Sequence, residues 1–300
     1  MEILVKRGYT EFNRIDSGGQ GNVYRTTKDG HVYAIKVIPV IDRDAQLDND
    51  LKRELSISKS LHHPNCIQIK DLFRTKTRVY LVMDFMPNGT IGNLVRKEGP
   101  LCEWNTKAWF CPIAKAVSYL HANMIAHRDL KLDNILLDTN YNPIVADFGF
   151  ARIVEYTAGR LNKSDTFCGT MSYSPPEILK QVRYNPFACD VWSLGVILFT
   201  MINQMYPFDR KEGANRMYER MLARDYHLQP QIEQKVSLEL QDLIRIILEP
   251  DPKRRPSIGN VCEHPWFPII LHETKYLNMD NVRENGKWEN SCSINNRKHK

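Results

Sequence analysis

Three oxygen-bearing side chains and one lysine lie close together midway along the chain. They fall in His127-Arg128-Asp129-Leu130-Lys131-Leu132-Asp133-Asn134 and, shortly after, in Asp147-Phe148-Gly149. Asp129 is a carboxylate able to accept a hydroxyl proton. Asn134 and Asp147 offer oxygen ligands of the kind Mg²⁺ takes, and Lys131 is a cation for a moving phosphate. Either string alone would suit a polar turn between short strands. Both, in this order and spacing, point to phosphoryl transfer.

Such a set needs elements that hold it. The first ninety residues read as strands with one helix. Tyr9–Gly18, Gly21–Thr27 and His31–Ile38 are β-rich runs broken by glycine turns, with Asp29-Gly30 as a hairpin signal. Asp44–Leu61 carries apolar residues at Leu47, Leu51, Leu55, Ile57 and Leu61 among many charges, which predicts an amphipathic helix. Two further strands are predicted over Cys66–Phe73 and Arg78–Phe85, and a Pro87-Asn88-Gly89 turn leads into a helical remainder. Strands followed by helices predict an α+β chain of two lobes rather than one alternating sheet. In Ser17-Gly18-Gly19-Gln20-Gly21, backbone without Cβ can approach phosphates closely. Lys36 follows among Ala34, Ile35 and Val37, a setting that partly buries its cation and calls for a partner.

Composition narrows the classes. At 42% hydrophobic and 25% charged, the chain has the material for a large core and an ordinary globular surface. The net charge of +6 is spread without a long basic block, so a nucleic-acid partner is not expected. Seven scattered cysteines with no C-x-x-C pair predict reduced thiols of the cytoplasm or nucleus. The N-terminus lacks a signal-peptide run, and Glu2 stands where myristoylation requires glycine. The most apolar segment, Val191–Ile202, is too short to span a bilayer and reads as a buried helix, so no membrane association is expected.

The motifs Ala34-Ile35-Lys36, His127–Asn134, Asp147-Phe148-Gly149, Pro175-Pro176-Glu177 and Asp190-Val191-Trp192-Ser193-Leu194-Gly195 resemble those of eukaryotic protein kinases, from about Tyr9 to Phe267. The resemblance implies a kinase domain over 9–267, with an N-lobe at 9–86 and a C-lobe at 87–267. A polar tail over 268–300 is expected to be disordered. ATP and Mg²⁺ are the implied cofactors. Asp129 is then the hydroxyl-orienting base, Lys131 the γ-phosphate cation, Asn134 and Asp147 the Mg²⁺ ligands, and Lys36 the phosphate-pairing lysine held by Glu54. Ile15, Gly18, Gly21, Val23, Ala34, Asp84, Met86 and Leu136 are implied around the nucleotide, with Met83 as gatekeeper beside the hinge. Thr166 falls at the activation-loop phosphosite, with Arg128 and Arg152 as partners for a phosphate. Thr170 is expected to bond Asp129 and Lys131, Glu177 to pair with Arg255, and Asp190 to steady the catalytic loop.

Asp129-Leu130-Lys131 followed by Asn134 is similar to the serine/threonine branch, whose substrates are proteins. A monomer, with an upstream kinase as candidate activator, is the expected form. Asp147–Arg152, Thr166–Thr170 and Tyr184-Asn185-Pro186 look most like the testis-specific serine/threonine kinases, which are linked to sperm development. Four departures stand out. Asp16 replaces the first glycine of the phosphate loop, which predicts weakened nucleotide affinity. Ser58 replaces an apolar residue that packs toward Phe148. Thr90 stands where many kinases carry an arginine-reading glutamate, leaving Asp133 as the nearby acid. Pro175 replaces an alanine. The rival readings are a pseudokinase scaffold that binds nucleotide or partners without phosphotransfer, and a small-molecule kinase.

Overall fold

The computed structural model describes residues 2–18, 21–40, 57 and 61–267. Glu54, Ser58, most of the helix predicted over Asp44–Leu61 and the tail over 268–300 lie outside the described residues. Five antiparallel strands form the first lobe: β1 (Thr10–Gly18), β2 (Gly21–Lys28), β3 (His31–Pro39), β4 (Ile69–Arg74) and β5 (Arg78–Asp84). Their spatial order is β1-β2-β3-β5-β4. Alternate residues of β3 and β5 face one side, so Ile35, Val37, Tyr80 and Val82 gather with Phe73 into a core. The β2–β3 hairpin turns at Asp29-Gly30, both at positive φ, between the paired Lys28 and His31.

A helix, α1 (Glu2–Lys6), completes that core. Its Leu4 is wholly buried in the same cluster, and the Arg7 guanidinium lies 3.9 Å from the centre of the Phe73 ring. Five residues are too few for a readable hydrophobic period, so the sequence carries no signal for α1.

The strand predicted over Cys66–Phe73 begins only at Ile69. Cys66 bridges instead to Val145 of the second lobe. The Ile67 N–H donates to the Val145 carbonyl at 2.8 Å, and the Val145 N–H to the Asn65 carbonyl at 2.8 Å. A short apolar run reads alike whichever lobe claims its backbone.

The second lobe carries α2 (Ile91–Glu98), α3 (Glu103–Ala122), α4 (Pro176–Leu179), α5 (Pro186–Asn203), α6 (Ala214–Ala223), α7 (Pro230–Glu233), α8 (Leu238–Ile247) and α9 (Ile258–Cys262). Short strands β6 (Ile125–Ala126), β7 (Ile135–Leu137), β8 (Pro143–Val145), β9 (Arg152–Ile153), β10 (Tyr156–Thr157) and β11 (Arg160–Leu161) lie between α3 and α4. α5 is longer than the apolar run in the sequence: Asn185 caps it and Pro186 takes the first helical position. Its 18 residues are long and apolar enough to cross a membrane, yet 94% of them are buried within the protein. Burial, rather than shortness, marks it as a core helix. Glu103 ties the lobe's far end together. Its carboxylate accepts from the Ser237 N–H at 2.7 Å, the Ser237 hydroxyl at 2.5 Å and Trp266 Nε1 at 2.7 Å.

Candidate active site

The loop bearing Asp129 is anchored from below by Asp190 on α5. The wholly buried Asp190 carboxylate accepts from the His127 and Arg128 backbone N–H groups, each at 2.8 Å, and contacts His121 Nε2 at 2.9 Å. Arg128 adopts φ 65° and Asp147 φ 63°, a left-handed backbone that residues with side chains adopt only under constraint. Below Arg128 that constraint is Asp190. His127 is buried against Phe148 with ring centres 5.1 Å apart; its Nδ1 accepts the Asp129 N–H at 3.3 Å and its Nε2 faces the Ala146 carbonyl at 3.1 Å.

Around Asp129 three side chains converge. Lys131 Nζ lies 2.7 Å from Asp129 Oδ2, the Thr170 hydroxyl donates to Asp129 Oδ1 at 2.9 Å, and Lys131 Nζ reaches Thr170 Oγ1 at 3.1 Å. Asn134 Nδ2 donates to the Asp129 carbonyl at 2.8 Å and to Oδ2 at 3.1 Å. Thr170 arrives on the activation segment, which can pass this close because residue 169 is glycine. A Cβ on Gly169, at φ 100°, would meet the Arg128 carbonyl oxygen at 2.7 Å. A carboxylate fixed by a lysine and a hydroxyl can orient an incoming alcohol and take its proton.

Across from it, Lys36 Nζ pairs with Asp147 Oδ1 at 2.8 Å, joining the two lobes. Burial pushes the Asp147 carboxyl up, but the Lys36 charge and hydrogen bond, with His127 and the Gly149 amide, outweigh it and hold the group below its ordinary value. Asp147 therefore stays charged. Strand register sets Val23 opposite Lys36 and Ala34 opposite Met83, so these side chains share the sheet face that carries Lys36. Leu136 on β7 bridges to Thr90, and with Met83 and Met86 it packs against the main core. Ile15 is 47% exposed, at an irregularity in β1. Asp84 ends β5 in an exposed pair with Lys70 at 3.0 Å. Gly21 has a packing reason of its own, since a Cβ there would lie 2.3 Å from the Val37 carbonyl oxygen. Asp16 is exposed opposite Val23, and its Oδ1 accepts the Ser17 N–H at 2.8 Å.

Those donors suit a magnesium nucleotide. Asn134 uses its amide nitrogen on Asp129, which leaves its carbonyl oxygen as ligand atom, and Asp147 adds a charged carboxylate. Among the described residues no three His, Cys, Asp or Glu side chains form a metal cage. Mg²⁺ needs none, because it keeps waters and phosphate oxygens in its shell.

The activation segment runs past this site to α4. β9 pairs with β6, β10 and β11 form a hairpin, and Ser164 bridges Tyr184 with hydrogen bonds of 2.9 and 3.0 Å. Arg128 and Arg152 do converge, but on the buried Ser164 hydroxyl, at 3.3 and 3.5 Å. Ser164 in turn accepts the Thr166 N–H at 3.3 Å, and Thr166 itself is exposed. At the segment's end Arg255 forms a buried two-pronged pair with Glu177, at 2.8 and 3.1 Å. Sequence reasoning missed Ser164, whose only signal was its place between the two arginines and Thr166.

A sheet lobe and a helical lobe joined by a lysine–carboxylate pair, with a positioned hydroxyl acceptor beneath, define a two-lobed phosphotransferase fold. The chain belongs to the protein kinase family: residues 9–267 match the protein kinase domain. Among its relatives, the testis-specific serine/threonine-protein kinase 3 of Mus musculus is 34% identical over 272 residues, 89% of this chain and 98% of that protein. The serine/threonine-protein kinase GIN4 of Saccharomyces cerevisiae is 39% identical over 236 residues, 79% of this chain but 20% of its own length. The CBL-interacting serine/threonine-protein kinase 24 of Arabidopsis thaliana is 33% identical over 266 residues, 86% of this chain and 58% of that protein. The chain thus spans well under two thirds of the yeast and plant proteins. The testis-specific likeness is one among several of similar strength.

Proposed function

We propose that this protein transfers the γ-phosphoryl group of ATP to serine and threonine hydroxyls of protein substrates. The observation that carries this reading is the Asp129 carboxylate held at once by Lys131 and Thr170, with Asn134 beneath it. Asp129 orients the acceptor hydroxyl and takes its proton, while Lys131 meets the charge on the transferred group. Lys36 grips the non-transferred phosphates from the sheet lobe. Asn134 and Asp147 would hold Mg²⁺, which when bound would supply positive charge to neutralise the phosphates. Val23, Ala34, Met86 and Leu136 supply apolar walls for the base. The serine/threonine preference rests on the Asp129-Leu130-Lys131 form and on the names of the relatives. The resemblance to testis-specific kinases is supported by the near-complete span of the mouse protein.

Control by Thr166 is part of the proposal. A phosphate there would carry nearly two negative charges and replace the neutral Ser164 hydroxyl as the acceptor for Arg128 and Arg152. A non-catalytic scaffold would have no use for the Asp129–Lys131–Thr170 set.

Phosphate incorporation from labelled ATP with Mg²⁺, wild type beside Asp129→Asn, tests the reading. Wild type is expected to label itself or a serine/threonine peptide, and the variant to lose about 10²–10⁴-fold. Equal label in both would sink it. So would silence from wild type, even with Thr166 phosphorylated beforehand by another kinase.

A further inference from the structure

A second carboxylate stands beside the acceptor site. Asp133 lies on the 3₁₀ turn Leu132–Asn134, between Lys131 and the residue that bonds Asp129. Successive side chains on such a turn point about 120° apart. Asn134 therefore faces inward and is buried, whereas Asp133 faces outward with 40% of its side chain exposed. An outward acid this close to the acceptor hydroxyl has the charge to hold a basic residue of an incoming peptide.

That place is taken from within. The Arg96 guanidinium donates to Asp133 Oδ1 at 2.6 Å and to Asn93 Oδ1 at 2.6 Å. Two features of α2 deliver it. Thr90 caps the helix, accepting the Asn93 N–H at 3.0 Å, and so fixes its start against β7. Gly92 lets the helix lie directly on the 3₁₀ turn, because a Cβ there would meet Asp133 Oδ1 at 2.9 Å and the Leu132 carbonyl carbon at 3.2 Å. Arg96 then follows Gly92 by one helical turn, on the same side.

We infer that Arg96 is a built-in occupant of the acid flanking the acceptor site, so that substrates gain nothing from an arginine or lysine next to their serine or threonine. The inference rests on the kinase activity proposed above and assigns its specificity. A peptide cation approaching Asp133 meets a carboxylate already engaged and a guanidinium of like charge. Neutral-flanked acceptors meet no such penalty.

A peptide scan tests it. A serine acceptor in a neutral background carries one arginine, moved through four positions on each side, and kcat/KM is taken relative to the neutral parent. With wild type, every arginine position is expected within about twofold of the parent. Arg96→Gln frees Asp133 and should raise the ratio about fivefold at one or two positions, the size of an exposed charge pair. The gain should vanish in Arg96→Gln/Asp133→Asn, and Asp133→Asn alone should leave the wild-type ratios in place. A wild-type preference for arginine that Asp133→Asn removes would overturn the assignment. Ratios unmoved by Arg96→Gln would overturn it too. The neutral parent keeps the two proposals apart: label on it that Asp129→Asn abolishes upholds the kinase whatever the ratios, and no label on it counts against both.

Discussion

Asp190 accepts two backbone N–H groups and a histidine while wholly buried. Asp190→Ala would leave the His127 and Arg128 amides without partners, at about 1–3 kcal/mol for each buried donor. The expected outcome is about 3–5 kcal/mol of lost stability in urea unfolding, together with a large fall in kcat. Asp147 makes a prediction in pH. Its folded-state pKa is held below the ordinary value, so its contribution to stability is complete above about pH 4 and is lost as pH falls through the folded value. Lys36→Met removes the charge that offsets burial. The folded-state Asp147 pKa then rises toward or above its unfolded value, so the stability lost through this group on acidification should shrink or reverse, read as a shallower acid-side fall in melting temperature than in wild type. Asp16 turns its carboxylate back on the Ser17 amide and sits in solvent, where charge repulsion is screened. Asp16→Gly should lower KM for ATP only about twofold to fivefold, with kcat unchanged; a raised kcat at constant KM would contradict this.

At the scale of elements, the activation segment already has its arginines gathered. Arg128 and Arg152 meet at Ser164, and the Tyr184 hydroxyl donates to the Thr166 carbonyl at 2.9 Å. A phosphate on Thr166, as proposed above, would meet a pair of cations already gathered at Ser164. Thr166→Ala should block activation by an upstream kinase, and Arg152→Ala should weaken it about tenfold while leaving Thr166 phosphorylation intact, read by phosphosite mapping beside rate measurements. Much of this element was legible. His127–Asn134 and Asp147-Phe148-Gly149 each pack several roles into adjacent residues, so their chemistry could be read before any fold was known. Ser164 could not be read that way, because its role depends on three partners from separate turns of chain. α1 was too short for periodicity. Cys66 and Ile67 were misassigned because an apolar run does not name the strand its backbone will pair with.

For the whole molecule, the sequence indicated two lobes through its change from period-two to helical patterning, and the structure has a five-stranded sheet followed by helices. What patterning could not give was the set of long-range pairs that lock the pieces. Arg255 with Glu177 was expected only through resemblance; Lys36 with Asp147, Arg96 with Asp133 and Glu103 with Trp266 were not expected at all, and Glu54, the partner expected for Lys36, lies outside the described residues. Arg255 also donates to the Glu249 and Ala188 carbonyls, at 2.9 and 2.8 Å, so its removal strands several buried groups. Arg255→Ala should cost about 3–5 kcal/mol in unfolding free energy. Arg255→Ala/Glu177→Ala should cost less than the sum of the single variants, because the double change leaves no lone buried charge.

The Asp190 anchor also bears on motion. His127 and Arg128 lie in what the backbone trace draws as a loop, and loops ordinarily exchange their amide hydrogens with solvent quickly. These two amides end on a carboxylate in the second turn of α5, a helix whose side chains are almost all buried. Their hydrogens can leave only when that helix opens. The loop that does the chemistry would then exchange on the timescale of the core, while the β10–β11 hairpin downstream would exchange first.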